Sequence, residues 1–358
     1  MGIHIILLLF TLLSSYIGQD TIENSTNYNG SAQNAIHAND KYKFDIDCSI
    51  RAIEVENETT CWFAGDKNTF GFTKNSGESW QSYIIEYDSL DLQFRSIAMT
   101  PDAVFVLSIG SPALIFKIDK QTLKYELVYK EVGEKVFYDS MKFWDNGNGI
   151  AVGDPTENCM SVLLTKDGGY TWNKLGCEHL PSAQDGETAF AASNTNISLV
   201  ENKAFIVTGG KAANILIGNE FGNNWIRKET PIIQGESMTG IFSTHFLNPE
   251  TGVIAGGNWE EKDNQDRAMA ITFNGGNNWQ VMKDNPGYIS CVQFVPNQKA
   301  LWACSTNGIF YSKYLGESWK KVSDEGFYSL RISENGERLY FSGNNKLMSV
   351  NATNLMEN

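Results

Sequence analysis

The stretch Thr165–Trp172 reads TKDGGYTW. A hydroxyl, a carboxylate, two glycines and a tryptophan within one short run suit either a reactive loop or a tight turn. Repetition decides between them. TKNSGESW (Thr73–Trp80), GNEFGNNW (Gly218–Trp225), TFNGGNNW (Thr272–Trp279) and SKYLGESW (Ser312–Trp319) share its frame. Glycine holds the fifth place in each, at Gly77, Gly169, Gly222, Gly276 and Gly316. Tryptophan holds the eighth, at Trp80, Trp172, Trp225, Trp279 and Trp319. The third place is Asn75, Asp167, Glu220, Asn274 or Tyr314, and only the copy at 165–172 is complete. A chain with one catalytic loop has no use for five, so the motif is architecture. Its hydroxyl and its carboxylate or amide can satisfy turn amides, its glycine can take a positive φ, and its tryptophan can pack between sheets.

Working outward, a short apolar run ending in a small residue precedes each motif, and a second apolar run precedes that one. CWFAG, GIAVG, AFIVTGG and GVIAGG are examples of the first; SIRAIEV, YDSMKFW and SCVQFV of the second. Each unit is therefore four short strands at a period of roughly 40–50 residues, the signature of a β-propeller. LIFKIDKQTLKYEL (Leu114–Leu127) supplies a further unit whose turn has lost the motif. Units starting near Ser49, Phe94, Val136, Thr188, Ser237, Gly287 and Phe327 predict an all-β, seven-bladed propeller over 42–358, with six blades as the runner-up. The last unit shows only three strands, so KYKFDID (Lys41–Asp47) is expected to close the ring as its outer strand. No helix of useful length is expected in the folded part.

The five strings resemble the Asp-box, or BNR, repeat of sialidases and of many non-enzymatic propellers. In that family the box lies on the outer rim and is structural. FYDSMKFWDNGNGIAVGDP, AFAASNTNI and VTGGK, taken with the boxes, resemble the photosystem II stability/assembly factor-like group of exported propellers. The resemblance covers nearly the whole folded chain. It implies a YVTN/WD40-like repeat architecture in the sialidase-like superfamily, and a binding or assembly role. Members labelled as oxidoreductases find no support here, because the sequence holds no dinucleotide fingerprint, haem-attachment motif or C-x-x-C. No cofactor is expected.

The 358 residues carry a net charge of −14, which argues against nucleic acid or an anionic membrane as partner. Residues 3–18 form an apolar run ending in small residues, and 1–18 read as a signal peptide that sends the chain out of the cytoplasm. The missing basic leader segment leaves an uncleaved anchor as the alternative. Residues 19–41, rich in Asn and Ser, read as a disordered linker. In an exported chain six cysteines allow disulfides. Cys159 and Cys177 flank one strand–turn–strand unit. Cys291 and Cys304 lie equidistant from a hairpin turn. Six reduced thiols are the alternative.

Propeller ligands sit at the tunnel mouth, beside the inner strands. Aligning those strands places Arg51, Arg95 and Arg331 at equivalent positions in units that ring closure makes neighbours. Three guanidiniums meeting in one sector would bind a carboxylate or phosphate; the alternative is that each pairs with a local acid. The opposite sector carries Asp139, Glu187 and Glu236, with Tyr138 beside the first. Acids across a cleft are what glycoside hydrolysis requires, so these four are the candidate catalytic residues of a sialidase-like or other glycosidase. The sialidase Phe-Arg-Ile-Pro string is only half kept, as FRSI at Phe94–Ile97. With His4, His37, His179 and His245 as the only histidines, a multi-histidine metal site is not expected. The acidic loops VGDPTEN and GGNWEEKDNQD lack the ligand spacing of a calcium loop and read as solvated. The sequons at Asn24, Asn29, Asn57, Asn196 and Asn351 would matter only in a eukaryotic host. The main expectation is a monomeric, non-catalytic binding propeller whose ligand is a protein segment or a small anionic or glycan group.

Overall fold

The computed structural model describes residues 41–356. The expected signal peptide and all but the last residue of the expected linker lie outside the described residues, as do the sequons at Asn24 and Asn29. Within them the chain is all-β, its only helices being a 3₁₀ turn at Cys177–His179 and one helix at Ala352–Met356. Short antiparallel strands form the sheets of a β-propeller. Phe94–Met99, Ala103–Ser108, Ala113–Asp119 and Tyr125–Glu131 make one complete four-stranded sheet.

The hydrogen-bonded sheets number six, the runner-up count, and not the seven of the main expectation. The reason lies in one strand. Lys41–Val55 runs unbroken from the closing position into the first unit: Lys41–Asp45 pair with Val350–Lys346, and Ile50–Val55 pair with Gly65–Cys61. The units expected first and last thus share a strand and merge into a six-stranded sheet. Arg338–Asn351 folds back on itself within that sheet, its arms joined where the Ala352 amide donates to the Glu337 carbonyl at 2.7 Å. The predicted closure by KYKFDID is this pairing, which leaves no open edge between the two ends of the chain.

A second departure concerns the unit expected to start at Thr188. Its innermost paired strand is Ile197–Val200, and residues 189–196 instead leave the sheet for the axis. Glu187–Thr188 form only a two-residue pairing with Gly209–Gly210.

Apolar faces of neighbouring sheets pack on each other. Trp62, Phe70 and Phe72 of one sheet lie against Phe94, Val106 and Phe116 of the next, all nearly inaccessible. The repeated tryptophans staple such pairs: the Trp172 ring meets Phe105 of the preceding sheet at 6.4 Å, edge to face. Trp80 and Trp172 are buried, while Trp225, Trp279 and Trp319 are half-buried.

At the rim, the motif closes a turn. The Thr165 hydroxyl donates to Asp167 Oδ1 at 2.8 Å and accepts from the Gly169 amide at 2.9 Å, while Asp167 accepts from the Thr171 amide and hydroxyl. Thr73/Asn75/Gly77 and Thr272/Asn274/Gly276 repeat the pattern. Ser312 keeps only the bond from Gly316, because Tyr314 offers no short-range acceptor. Gly218 has no hydroxyl, and there Glu220 accepts from Asn224 while Trp225 donates to Gly222. Gly169 has φ 82°, and an added Cβ would stand 2.4 Å from the Phe105 ring. Burial raises Asp167, but hydrogen bonds from Thr171 and Thr165 prevail and hold its carboxyl below the usual range.

Candidate functional site at the tunnel mouth

The segment GETAFAASNTN (Gly186–Asn196) forms the floor of the site. Small residues let it descend the axis, where an ordinary strand would collide with the inner strands. Ser193, Asn194, Thr195 and Asn196 are buried. Asn194 ties two sheets at once: its amide donates to the Ile97 carbonyl at 2.7 Å, and its oxygen accepts from Met141 N–H and the Ser140 hydroxyl. Ser193 Oγ donates to the Ser290 carbonyl, and Thr195 Oγ1 to Ser243. This strap plugs the propeller.

The three aligned arginines do meet in one sector, and what they grip is the strap. Arg95 donates to the Ala191 carbonyl at 3.3 Å and Arg51 to that of Ala192 at 3.5 Å. Arg331 donates to the carbonyls of Ser193 and Asn194. Consecutive backbone oxygens thus occupy the place expected for an external anion. Arg331 is 3% exposed and also bonds Glu54 at 3.1 Å, so it is absent from the mouth. Burial opposes its charge, but Glu54 and the neighbouring Cys291 and Cys61 together outweigh burial and raise it. Arg51 and Arg95 remain half-exposed at the mouth. Arg51 stacks on Tyr328, 3.9 Å from the ring centre, and its buried Nε has no acceptor. Burial and the neighbouring Arg51 charge lower Arg95 to about 10.

The acids separate. Asp139 lines the mouth, fully buried, and neither carboxyl oxygen completes a well-formed hydrogen bond. Burial pushes it well above the usual carboxylate range, Asp154 adds to the rise, and the Ala191 amide and Arg95 oppose it. Asp154, which sequence reasoning did not select, accepts from the Ala189 amide at 2.8 Å and is raised to about 6 by burial. Glu187 is consumed structurally: it accepts from the Gln184 amide, Thr208 Oγ1 and Asn214 Nδ2. Glu236 is exposed and does not line the mouth. Tyr138 turns away from Asp139, donating to Glu131 at 2.6 Å. The expected trio of acids with a tyrosine is not assembled.

The mouth opens as a cavity of about 350 Å³. Arg51, Arg95, Asp139 and Asp154 form one wall. The other is aromatic: Phe190 stacks on Phe242 at 3.9 Å, Phe242 meets Tyr288 at 4.9 Å, and Tyr288 meets Trp259 at 5.3 Å. Motif reading missed this wall because its members come from the strap, an inner strand and two loops. The one sequence signal was Trp259, a tryptophan outside the repeat.

Two other expectations resolve at the axis and rim. Cys159–Cys177 is a disulfide across its unit. Cys291 and Cys304 are direct cross-strand partners, as the hairpin spacing requires, but both are free, buried thiols. The Cys291 sulfur instead accepts from the Leu330 amide and faces Arg331. On the inner strands beside Arg331, His245 Nδ1 accepts from the Phe294 amide, and burial together with Lys142 and Arg331 lowers the ring to about 3. Among the described residues, no cluster of His, Cys, Asp and Glu is arranged to hold a metal ion.

No family profile and no curated protein matches the sequence. Solved structures match its shape. The chain is similar to "YCF48 bound to D1 peptide", with 13% identity over 89% of this chain and 99% of that one, at a TM-score of 0.65. YCF48 from Cyanidioschyzon merolae matches at 12% identity over 88% and 99% of the two chains, at 0.64. The RRP9 WD40 repeats match at 12% identity over 87% and 97%, at 0.62. At these identities the likeness establishes the fold: this chain is a β-propeller, similar in shape to YCF48 and to WD40 propellers.

Proposed function

We propose that this protein is a non-catalytic binding or assembly propeller that takes a polypeptide segment at its tunnel mouth. The observation that carries the reading is the mouth cavity itself, a single concavity with one aromatic and one polar wall, within the size range of small-ligand sites. A similarly shaped propeller solved as "YCF48 bound to D1 peptide" supports this class of ligand. The reading extends to membership of the Asp-box, photosystem II assembly factor-like group, with rim turns whose bonding suits that motif. It extends also to export as a monomer by residues 1–18, which the Cys159–Cys177 disulfide favours, since such bonds persist in oxidising compartments.

Catalysis has little to work with at this mouth. Glycoside hydrolysis requires one carboxyl as acid and one as nucleophile or base. Asp139 and Asp154 are the two acids lining the cavity, and Asp154 is already bonded to the strap. A panel of fluorogenic glycosides, sialosides included, is expected to show no turnover; release that is lost in Asp139→Asn would replace the binding reading with an enzymatic one.

The test of binding is selection of a displayed random heptapeptide library on the full chain. A parallel selection uses Ala191→Trp, which fills the mouth. Peptides enriched on the native chain and lost on the variant are expected. Equal binding to both would move the site elsewhere.

A further inference from the structure

We infer that the mouth selects its peptide by one large uncharged apolar side chain, seated against Phe190, Met238 and Trp259. The inference deepens the polypeptide-binding reading and rests on it. The two arginines of the polar wall are anchored within the chain. Arg95 is divided between the Ala191 carbonyl and Gln93, and Arg51 between the Ala192 carbonyl and the Tyr328 ring. Arg51 Nε and both Asp139 carboxyl oxygens are unpartnered but buried beneath the mouth surface, out of a ligand's reach. Arg51 and Arg95 at the same mouth repel a lysine or arginine anchor, and a buried Asp139 with raised proton affinity withholds negative charge that would attract one.

The aromatic wall is built to face something. Phe242 and Tyr288 are buried, and they back the half-exposed rings of Phe190 and Trp259, with Met238 beside them. Water against these faces forms few hydrogen bonds, and an aliphatic or aromatic side chain displaces it favourably. Met238 supplies an adaptable contact that fits several anchors rather than one. The volume of about 350 Å³ accommodates one large side chain with its flanking amides. Buried aromatic contacts of this type carry most of the free energy in small interfaces.

The heptapeptide selection on the full chain, followed by titration of enriched synthetic peptides, tests this. Enriched sequences are expected to share one position held by Leu, Met, Phe or Trp. Replacing that residue by Asp, or changing Phe190→Ala or Trp259→Ala in the protein, should weaken binding by about tenfold or more, as loss of an interface anchor does. Met238→Lys, which alters a partly exposed contact without opening the aromatic stack, serves as the second variant and should weaken binding similarly. Mouth-dependent peptides that instead share an acidic residue or a free C-terminal carboxylate, and are indifferent to Trp259 and Met238, would overturn the apolar anchor while keeping a peptide site. No enrichment, or enrichment indifferent to Ala191→Trp, would overturn the polypeptide reading and the anchor with it.

Discussion

The rim turns and the axial strap solve the same problem, that of satisfying backbone groups away from regular strands, in opposite ways. At the rim each turn closes on itself: the Thr165–Asp167–Gly169–Thr171 bonds span at most four residues. At the axis the strap is held by residues far along the chain, with Arg331 and Ser193 separated by 138 positions. Local devices tolerate loss, and several copies already lack a member. The strap has no second copy, and its partners belong to several sheets. Architecture is therefore distributed around the rim, while the floor of the mouth depends on a few side chains.

That contrast breaks most visibly at Arg331. Arg331→Met should cost about 3–5 kcal/mol in urea unfolding, because Glu54 and the strap carbonyls lose their shared partner inside the protein. A loss near that of a surface pair would mean the axis is as redundant as the rim. Asn194→Ala comes next, at about 2–3 kcal/mol, since the Ile97 carbonyl and Met141 amide are left unpaired in the interior.

Acidity sharpens the same comparison. Asp154 is raised from 3.8 to about 6 in the folded chain, so folding takes up a proton in that interval. Its contribution is most favourable below the unfolded value and declines as pH rises through about 4 to 6. Asp139 shifts in the same direction. Asp167 has the opposite sign: its depressed value favours folding above its unfolded titration and is lost as pH falls. Melting temperatures of Asp154→Asn across that range should lose part of the decline seen in the native chain, and an unchanged profile would contradict the assignment. The smallest effect belongs to the rim. Thr165→Ala should cost about 1 kcal/mol, the usual worth of a turn hydrogen bond pair, with peptide binding retained.

The propeller was legible in sequence because its determinants are local and repeated. Five glycine–tryptophan frames marked the turns, and KYKFDID marked the closure. The count of six hydrogen-bonded sheets was not legible, because nothing in Lys41–Val55 announces that one strand continues from the closing position into the first unit. The arginines were found by aligning inner strands, and they do converge. Their partner was hidden, since only the fold reveals that Ala191–Asn194 leave the sheet to meet them. Glu187 looked like a mouth acid because it opens that segment, yet it is spent on Thr208 and Asn214. The aromatic wall joins Phe190, Phe242, Trp259 and Tyr288 from separate stretches, and no spacing rule links them.

The most direct measurement of the central claim is fluorescence anisotropy of a mouth-selected heptapeptide on three proteins: native, Asp167→Ala and Trp259→Ala. If the rim is architecture and the mouth is the site, Asp167→Ala leaves the affinity within about twofold, whereas Trp259→Ala weakens it about tenfold or more. The reverse order, with the rim variant losing the peptide and the mouth variant retaining it, would contradict the account.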